Sequence, residues 1–294
     1  MRIAVTGVTG RVGAALSRHL RQQHEVIDLP RADFDLTEPA RCIERLETLD
    51  LDVLINPAAI SSPDLCEDDP RLAMKVNSGA PGRLALWAAE RGVRMIHFST
   101  DYVFDGESTI APDEAVPAKP LGAYGRGKRA GELAVLAHPG HLVLRVSWVF
   151  GPEKPSFIDQ VMAKARNGEP LEAIADKTSL PTYTQDLAEW TSKLIKARAS
   201  GLLHACNSGP PVSWHGLAEH VVETMHGCGA LAEIPKVSPL ALADMPGFRA
   251  PRPRFSAMDS SQLAVTLGGP LRPWHEAVAA YVTGCCGAGT APAP

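Results

Sequence analysis

The chain has 294 residues and a formal net charge of −4 at pH 7. Its pI near 6.2 leaves no basic footprint for nucleic acid. The length allows one large or two medium domains with ample core, and no apolar run is long enough to span a membrane. Met1-Arg2-Ile3 leads straight into a strand pattern without a signal peptide, so a cytoplasmic protein is expected. The cysteines at 42, 66, 206, 228, 285 and 286 form no C-x-x-C pair and read as reduced structural thiols.

Arg2-Ile3-Ala4-Val5-Thr6 reads as a short buried strand, and a helix begins near Ala14, with Gly7, Gly10 and Gly13 between them. Glycines at a strand-to-helix turn let backbone amides approach a pyrophosphate at the helix's positive end. Gly7, Thr9, Gly10, Arg11 and Val12 are therefore expected to contact a dinucleotide, although the spacing is G-x-x-G-x-x-G rather than G-x-G-x-x-G. After the next strand, Glu25 to Leu29, an acidic residue would suit an unmodified ribose. Pro30-Arg31 stands there instead, and an arginine pairs with a 2′-phosphate. This tilts the cofactor toward NADPH, with Arg11 as a candidate aid, while Asp28 keeps NADH open. Asp35 and Leu36 are placed at the adenine pocket, Asp35 fitting a helix cap equally well.

Val53-Leu54-Ile55 is a further strand, ending in Asn56-Pro57-Ala58-Ala59, where Ala58 and Ala59 are small enough for a cofactor to lie against the backbone. Leu72 to Arg91 has apolar residues at helical spacing; Asn77 within it fits either a core hydrogen bond or a relay behind a lysine. Val93 to Phe98 is a buried strand, which puts Ser99 and Thr100 at its carboxyl end, where open α/β sheets bind ligands. Tyr124 and Lys128 are four residues apart at the start of a helix and share a face. A ketone that accepts hydride needs a proton donor, and a tyrosine beside a lysine cation is such a donor. Thr100 can hydrogen-bond the carbonyl oxygen as charge develops.

His141 to Ser147 is another strand, with Trp148 at its end. The alternation of strands and helices predicts an α/β fold with a doubly wound parallel Rossmann sheet. A smaller mixed α/β carboxyl-terminal substrate-binding region is expected beside it, which the family resemblance given below implies. Residues 1–150, with 184–206 returning to them, are expected to form the NADP-binding domain; 151–183 and 207–283 form the substrate region, and 284–294 a flexible tail. Gln185 to Lys196 reads as a helix, Gly201 to Cys206 as a strand of the main sheet, and Ser213 as the cap of a later helix. His204, His215, His220 and His226 show no ligand pattern, and no metal is expected.

Five stretches carry a family resemblance: Gly7-x-x-Gly10-x-x-Gly13, Asn56-x-Ala58-Ala59, Ser99 to Gly106, Tyr124-x-x-x-Lys128, and Arg145-x-x-Trp148-Val149-Phe150-Gly151. The chain resembles the extended short-chain dehydrogenases/reductases and, more narrowly, the dTDP-4-dehydrorhamnose reductase family. The likeness runs to about residue 283. It implies NADPH-dependent reduction of the C4 ketone of a nucleotide-linked 4-keto-6-deoxyhexose. Thr100, Tyr124 and Lys128 match the family's catalytic residues, and Asp101, Tyr102 and Trp148 match positions facing the sugar nucleotide. Arg252, in the basic loop Arg249 to Arg254, suits a diphosphate.

Two stretches depart from the family pattern, Asp176 to Thr182, where Lys177 replaces a glutamine, and Ile60-Ser61-Ser62-Pro63. Both lie on the expected substrate side, Ser61 among the candidate contacts. A sugar-nucleotide epimerase or dehydratase is the nearest rival, and Asp101 keeps it in view. A cofactor-binding regulatory subunit resembling that of methionine adenosyltransferase is a rival of another class. A homodimer stays open.

Overall fold

Runs of buried β-branched residues become strands, and the amphipathic stretches between them become helices. In the computed structural model, which describes residues 1–245 and 247–287, β1 (Arg2–Thr6) leads into α1 (Arg11–Leu20) and β2 (Glu25–Leu29) into α2 (Pro39–Glu47). β3 (Val53–Asn56) is followed by α3 (Pro63–Asp68) and a helical run that ends in α4 (Ala80–Glu90). β4 (Arg94–Thr100), α5 (Ala123–Leu136), β5 (Leu142–Val146), α6 (Thr184–Lys196) and β6 (Gly201–His204) complete the unit.

The six strands pair in the order β6-β5-β4-β3-β1-β2, all parallel. Strand alternation sorts their side chains onto two faces: Ile3, Val5, Ile55 and Leu142 enter one apolar cluster, Ala4, Leu54, Met95 and Val143 the other. The chain passes from β1 outward to β2, then back across to β3. That reversal opens a crevice at the carboxyl ends of β1 and β3, where doubly wound sheets take their ligands.

A third cluster lies beyond the sheet, around Phe150, Ile158, Tyr183, Val221, Met258 and Val278. Three short ladders brace it, including Leu171–Ile174 with Val237–Leu240 and Thr178–Ser179 with Val212–Ser213. Its helices include α7 (Trp214–Gly227), capped by the Ser213 hydroxyl as the sequence predicts, and α8 (Trp274–Gly287).

Two sequence expectations change. The helix expected over Leu72 to Arg91 is interrupted by a π turn, Lys75–Gly79, between Pro70–Met74 and α4. Residues 284–287, expected in a flexible tail, are the last turn of α8, because Cys286 packs into the third cluster; 288–294 lie outside the described residues.

Candidate active site

Tyr124 and Lys128 occupy the first two turns of α5, which lies against β4. The helix comes this close to the β4 terminus because Gly125 has no side chain: a Cβ there would sit 2.1 Å from the Tyr102 carbonyl oxygen. The Tyr102 and Tyr124 rings then meet edge to face at 5.6 Å. Burial raises the Tyr124 phenol well above its ordinary value, against an opposing pull from the Thr100 hydroxyl that faces it. The Lys128 ammonium is buried too, which lowers it to about 8, with Glu132 and Cys66 acting against that shift. Phenol and ammonium are thus both present at neutral pH.

Thr100 is the last residue of β4. Its hydroxyl accepts from the Tyr102 amide at 3.2 Å and donates to Asp101 Oδ1 at 3.1 Å. Burial raises the Asp101 carboxyl, and the nearby Lys177 ammonium opposes the rise. Lys177 is itself fully buried; it donates to the Pro253 carbonyl at 2.9 Å and lies 5.2 Å from the Tyr102 ring. The residue that departs from the family pattern therefore sits against Asp101 and Tyr102, the pair that the sequence assigns to the sugar nucleotide.

The cofactor side begins at the turn from β1 to α1. A Cβ on Gly13 would fall 2.3 Å from the Gly7 carbonyl oxygen, so only glycine lets the helix start pack on this turn. No side chain caps α1 and its first turn holds no acidic residue, which leaves its amide end suited to a pyrophosphate. Gly10 is the cap, Thr9 is exposed in the turn, and Val12 packs on the sheet. Ala58 and Ala59 follow β3 beside the same turn, with Ala58 close to Gly7.

Arg11 is engaged by protein carbonyls, not left free as a phosphate ligand would be. Its guanidinium donates to the carbonyls of Val149 at 2.9 Å and Pro155 at 2.7 Å, and so joins the start of α1 to the segment that follows β5. Leu36 is buried against the sheet, while Asp35 accepts from the Thr37 amide at 2.9 Å and does not cap α2, whose cap is Glu38.

The choice between Asp28 and Arg31 at the ribose now has a physical basis. Asp28 is engaged by Ser17 of α1 at 2.6 Å and by Arg21, just past the end of that helix, at 2.5 Å. Arg31 is exposed just past β2, and among the described residues its one ion pair is a 3.5 Å contact to Asp35. Arg31→Asp is therefore expected to weaken NADPH binding more than NADH binding, because it turns attraction to a 2′-phosphate into repulsion. Fluorescence titration with both cofactors checks this, and an unchanged preference would remove Arg31 from the site.

On the substrate side the structure separates the candidates. Ser61 is exposed before α3, and its neighbour Ser62 supplies the helix cap. Arg252 is already committed: it pairs with Asp64 at 2.6 Å and stacks on Phe248, its carbon centre 3.7 Å from the ring. That pairing holds the Asp64 carboxyl down at about 2. Asn77 is likewise committed to the backbone, accepting from Ile60 N at 2.9 Å and donating to Ile60 O at 3.0 Å, on a π turn that packs against α5 at Gly127 and Gly131, on either side of Lys128.

Trp148 is half-buried with φ of 40°, in a left-handed conformation that a bulky residue adopts only under constraint. Its ring packs on Trp214 and lines a cavity of about 140 Å³ with Arg11, Phe157 and Ile158. Trp148→Ala is expected to raise KM for the keto sugar with little change in Tm or NADPH binding. A fully buried tryptophan would instead lose about 3–5 kcal/mol on truncation. A large fall in Tm with unchanged KM would place Trp148 in the core.

Sequence reasoning passed over His97 and Glu132. His97 Nε2 lies 3.3 Å from Lys128 Nζ, and Glu132 binds Arg145 through two hydrogen bonds of 2.7 and 2.8 Å. The available signals were a histidine inside an apolar strand run and an acid one helical turn beyond Lys128.

The family model for the RmlD substrate binding domain matches residues 1–285. The chain is 38% identical to the dTDP-4-dehydrorhamnose reductase of Mycobacterium tuberculosis, across 95% of this chain and 91% of that one. It is 33% identical to the enzyme of the same name from Burkholderia thailandensis, across 95% and 97%. The solved dTDP-4-dehydrorhamnose reductase of Bacillus anthracis, in complex with NADP, superimposes with a TM-score of 0.88 at 25% identity, covering 95% of this chain and 98% of that one. A match that runs through sheet, catalytic helix and second lobe alike means that the chain belongs to the RmlD family, together with the dTDP-4-dehydrorhamnose reductases.

Proposed function

We propose that this protein is a cytoplasmic, NADPH-dependent reductase of the C4 ketone of a nucleotide-linked 4-keto-6-deoxyhexose. The observation that carries the reading is the convergence of Tyr124 and Lys128, on one face of α5, with Thr100 at the end of β4. Among the described residues no helix is long and apolar enough to cross a membrane.

Bound NADPH supplies a hydride to the ketone carbon. Tyr124 gives its phenolic proton to the carbonyl oxygen, completing the alcohol. Lys128, cationic below about 8, stabilises the phenolate left behind. Thr100 turns the hydroxyl now directed at Asp101 toward the same oxygen. Gly7, Gly10, Gly13 and the amide end of α1 hold the pyrophosphate, and Arg31 the 2′-phosphate. We assign Asp101, Tyr102 and Trp148 to the sugar nucleotide, and residues 151–183 and 207–283 to the region that binds it.

The test is NADPH oxidation across a panel of nucleotide-linked 4-keto sugars. Turnover with at least one supports the reading. No turnover with any, together with co-purification with an adenosyltransferase, would favour the regulatory subunit instead.

A further inference from the structure

We propose that His97 is a positioning residue for this reaction: its imidazole is the fixed acceptor that orients the Lys128 ammonium, and through Asn56 and Thr6 it ties that lysine to the cofactor turn. The inference rests on the reading of Lys128 given above.

His97 is fully buried on β4, in register with Asn56 on β3. Its Nε2 is 3.3 Å from Lys128 Nζ, in the one hydrogen bond that Lys128 makes among the described residues. An ammonium can only donate, so Nε2 is the acceptor and the ring hydrogen is on Nδ1. At the other end Nδ1 lies 3.2 Å from the Asn56 backbone oxygen, which can only accept. Both contacts demand the same tautomer. In it the 3.2 Å approach of Asn56 Nδ2 to Nδ1 sets donor against donor and is not a bond.

An imidazolium here would turn a donor toward the ammonium. Burial and the Lys128 charge push the ring well below 6.5, so it stays neutral through the working range. The groups that face Lys128 are this neutral ring from β4, Glu132 from its own helix and the Cys66 thiol from α3, with Tyr124 one turn earlier on α5. His97 does not pass protons onward, because its Nδ1 hydrogen ends on a carbonyl. What it does is fix where the ammonium sits.

The contacts continue to the cofactor turn. Asn56 Oδ1 accepts from Thr6 Oγ1 at 2.6 Å, and the same hydroxyl meets the Ala58 amide at 3.4 Å. Thr6 is the last residue of β1, immediately before Gly7. A buried polar row thus runs from the middle of β4 to the ends of β3 and β1, from the reacting helix to the glycine turn. A core histidine serving only to pair with Asn56 would not need Nε2 aimed at a catalytic cation.

The test compares His97→Leu with His97→Gln in the full chain. Leucine removes the acceptor and makes the ammonium harder to keep, so kcat should fall about tenfold or more. The limb on which activity is lost with rising pH should move to lower pH. Glutamine presents an amide oxygen to Lys128 and should recover most of kcat and return the limb. Equal losses in both variants with an unmoved limb and a lowered Tm would show a structural role and overturn the proposal, as would a leucine variant with unaltered kcat and limb.

The tautomer is read without turnover by ¹⁵N NMR of histidine-labelled protein, with His97→Gln assigning the resonance. The Nδ1-protonated form is expected, with Nε2 moving as Lys128 titrates near 8; a ring protonated on Nε2 overturns the proposal. If the unaltered protein oxidises no NADPH while the tautomer is as expected, the functional reading fails and the contact stands.

Discussion

Tyr124→Phe is expected to lower kcat by about 10²–10⁴ while leaving Tm and NADPH affinity close to those of the unaltered protein. The substitution removes one oxygen from a ring whose packing against Tyr102 survives in phenylalanine. What disappears is the proton donor. Burial keeps the Tyr124 phenol protonated far above neutral pH, so the acid is available wherever the enzyme folds. The lysine behind it sets the upper edge: Lys128 is lowered to about 8, and reduction should slow as pH rises through that value. Steady-state kinetics, thermal melting and NADPH fluorescence titration separate these effects. Near-normal turnover in the variant would mean that another group delivers the proton.

Glu132→Ala is expected to be the most destabilising single substitution near the site. Glu132 and Arg145 are both fully buried and share two hydrogen bonds, and Arg129 adds a third at 2.8 Å. Arg145 otherwise meets His204, which burial and the Arg145 charge lower to about 4, and among the described residues Glu132 is the one carboxylate that it pairs with. Truncation leaves a guanidinium uncompensated in the interior, at a cost of about 3–5 kcal/mol. For a chain this size that is a fall in Tm on the order of 10 °C. Replacing both partners with apolar residues of similar volume should recover much of the loss, since the desolvation cost of both charges goes as well. A single variant that melts within about 1 °C of the unaltered protein would show that the pair contributes little.

Local signals carried most of the sheet. Ile3 to Val5 and Leu142 to Leu144 were visible as short continuous apolar runs, which mark buried strands, and the pleat sorts those side chains onto the two faces observed. Tyr124 and Lys128 were legible because helical spacing alone puts them on one face, and Ser213 because caps obey a local rule. What was not legible depends on partners far along the chain. Arg252 reads as a free basic residue until Asp64, 188 positions away, is folded against it. Arg11 reads as a phosphate ligand until the carbonyls of Val149 and Pro155 arrive. Asn77 was ambiguous because only a π turn fixes which backbone its amide reaches, and such turns have no local residue code. His97 was hidden by its surroundings, since one histidine in an apolar strand looks like core until the helix carrying Lys128 packs over it.

The central claim is that this chain catalyses a net reduction and does not recycle its cofactor, and a deuterium-transfer experiment tests it most directly. NADPH carrying deuterium at its transferable position is incubated with a nucleotide-linked 4-keto-6-deoxyhexose, and cofactor oxidation and label in the sugar are followed together. A reductase with Tyr124 as its acid should oxidise one NADPH for each alcohol formed and leave the deuterium on C4 of the product. Sugar converted with no net loss of NADPH, and no deuterium fixed at C4, would contradict this account and make the chain an epimerase or dehydratase built on the same sheet.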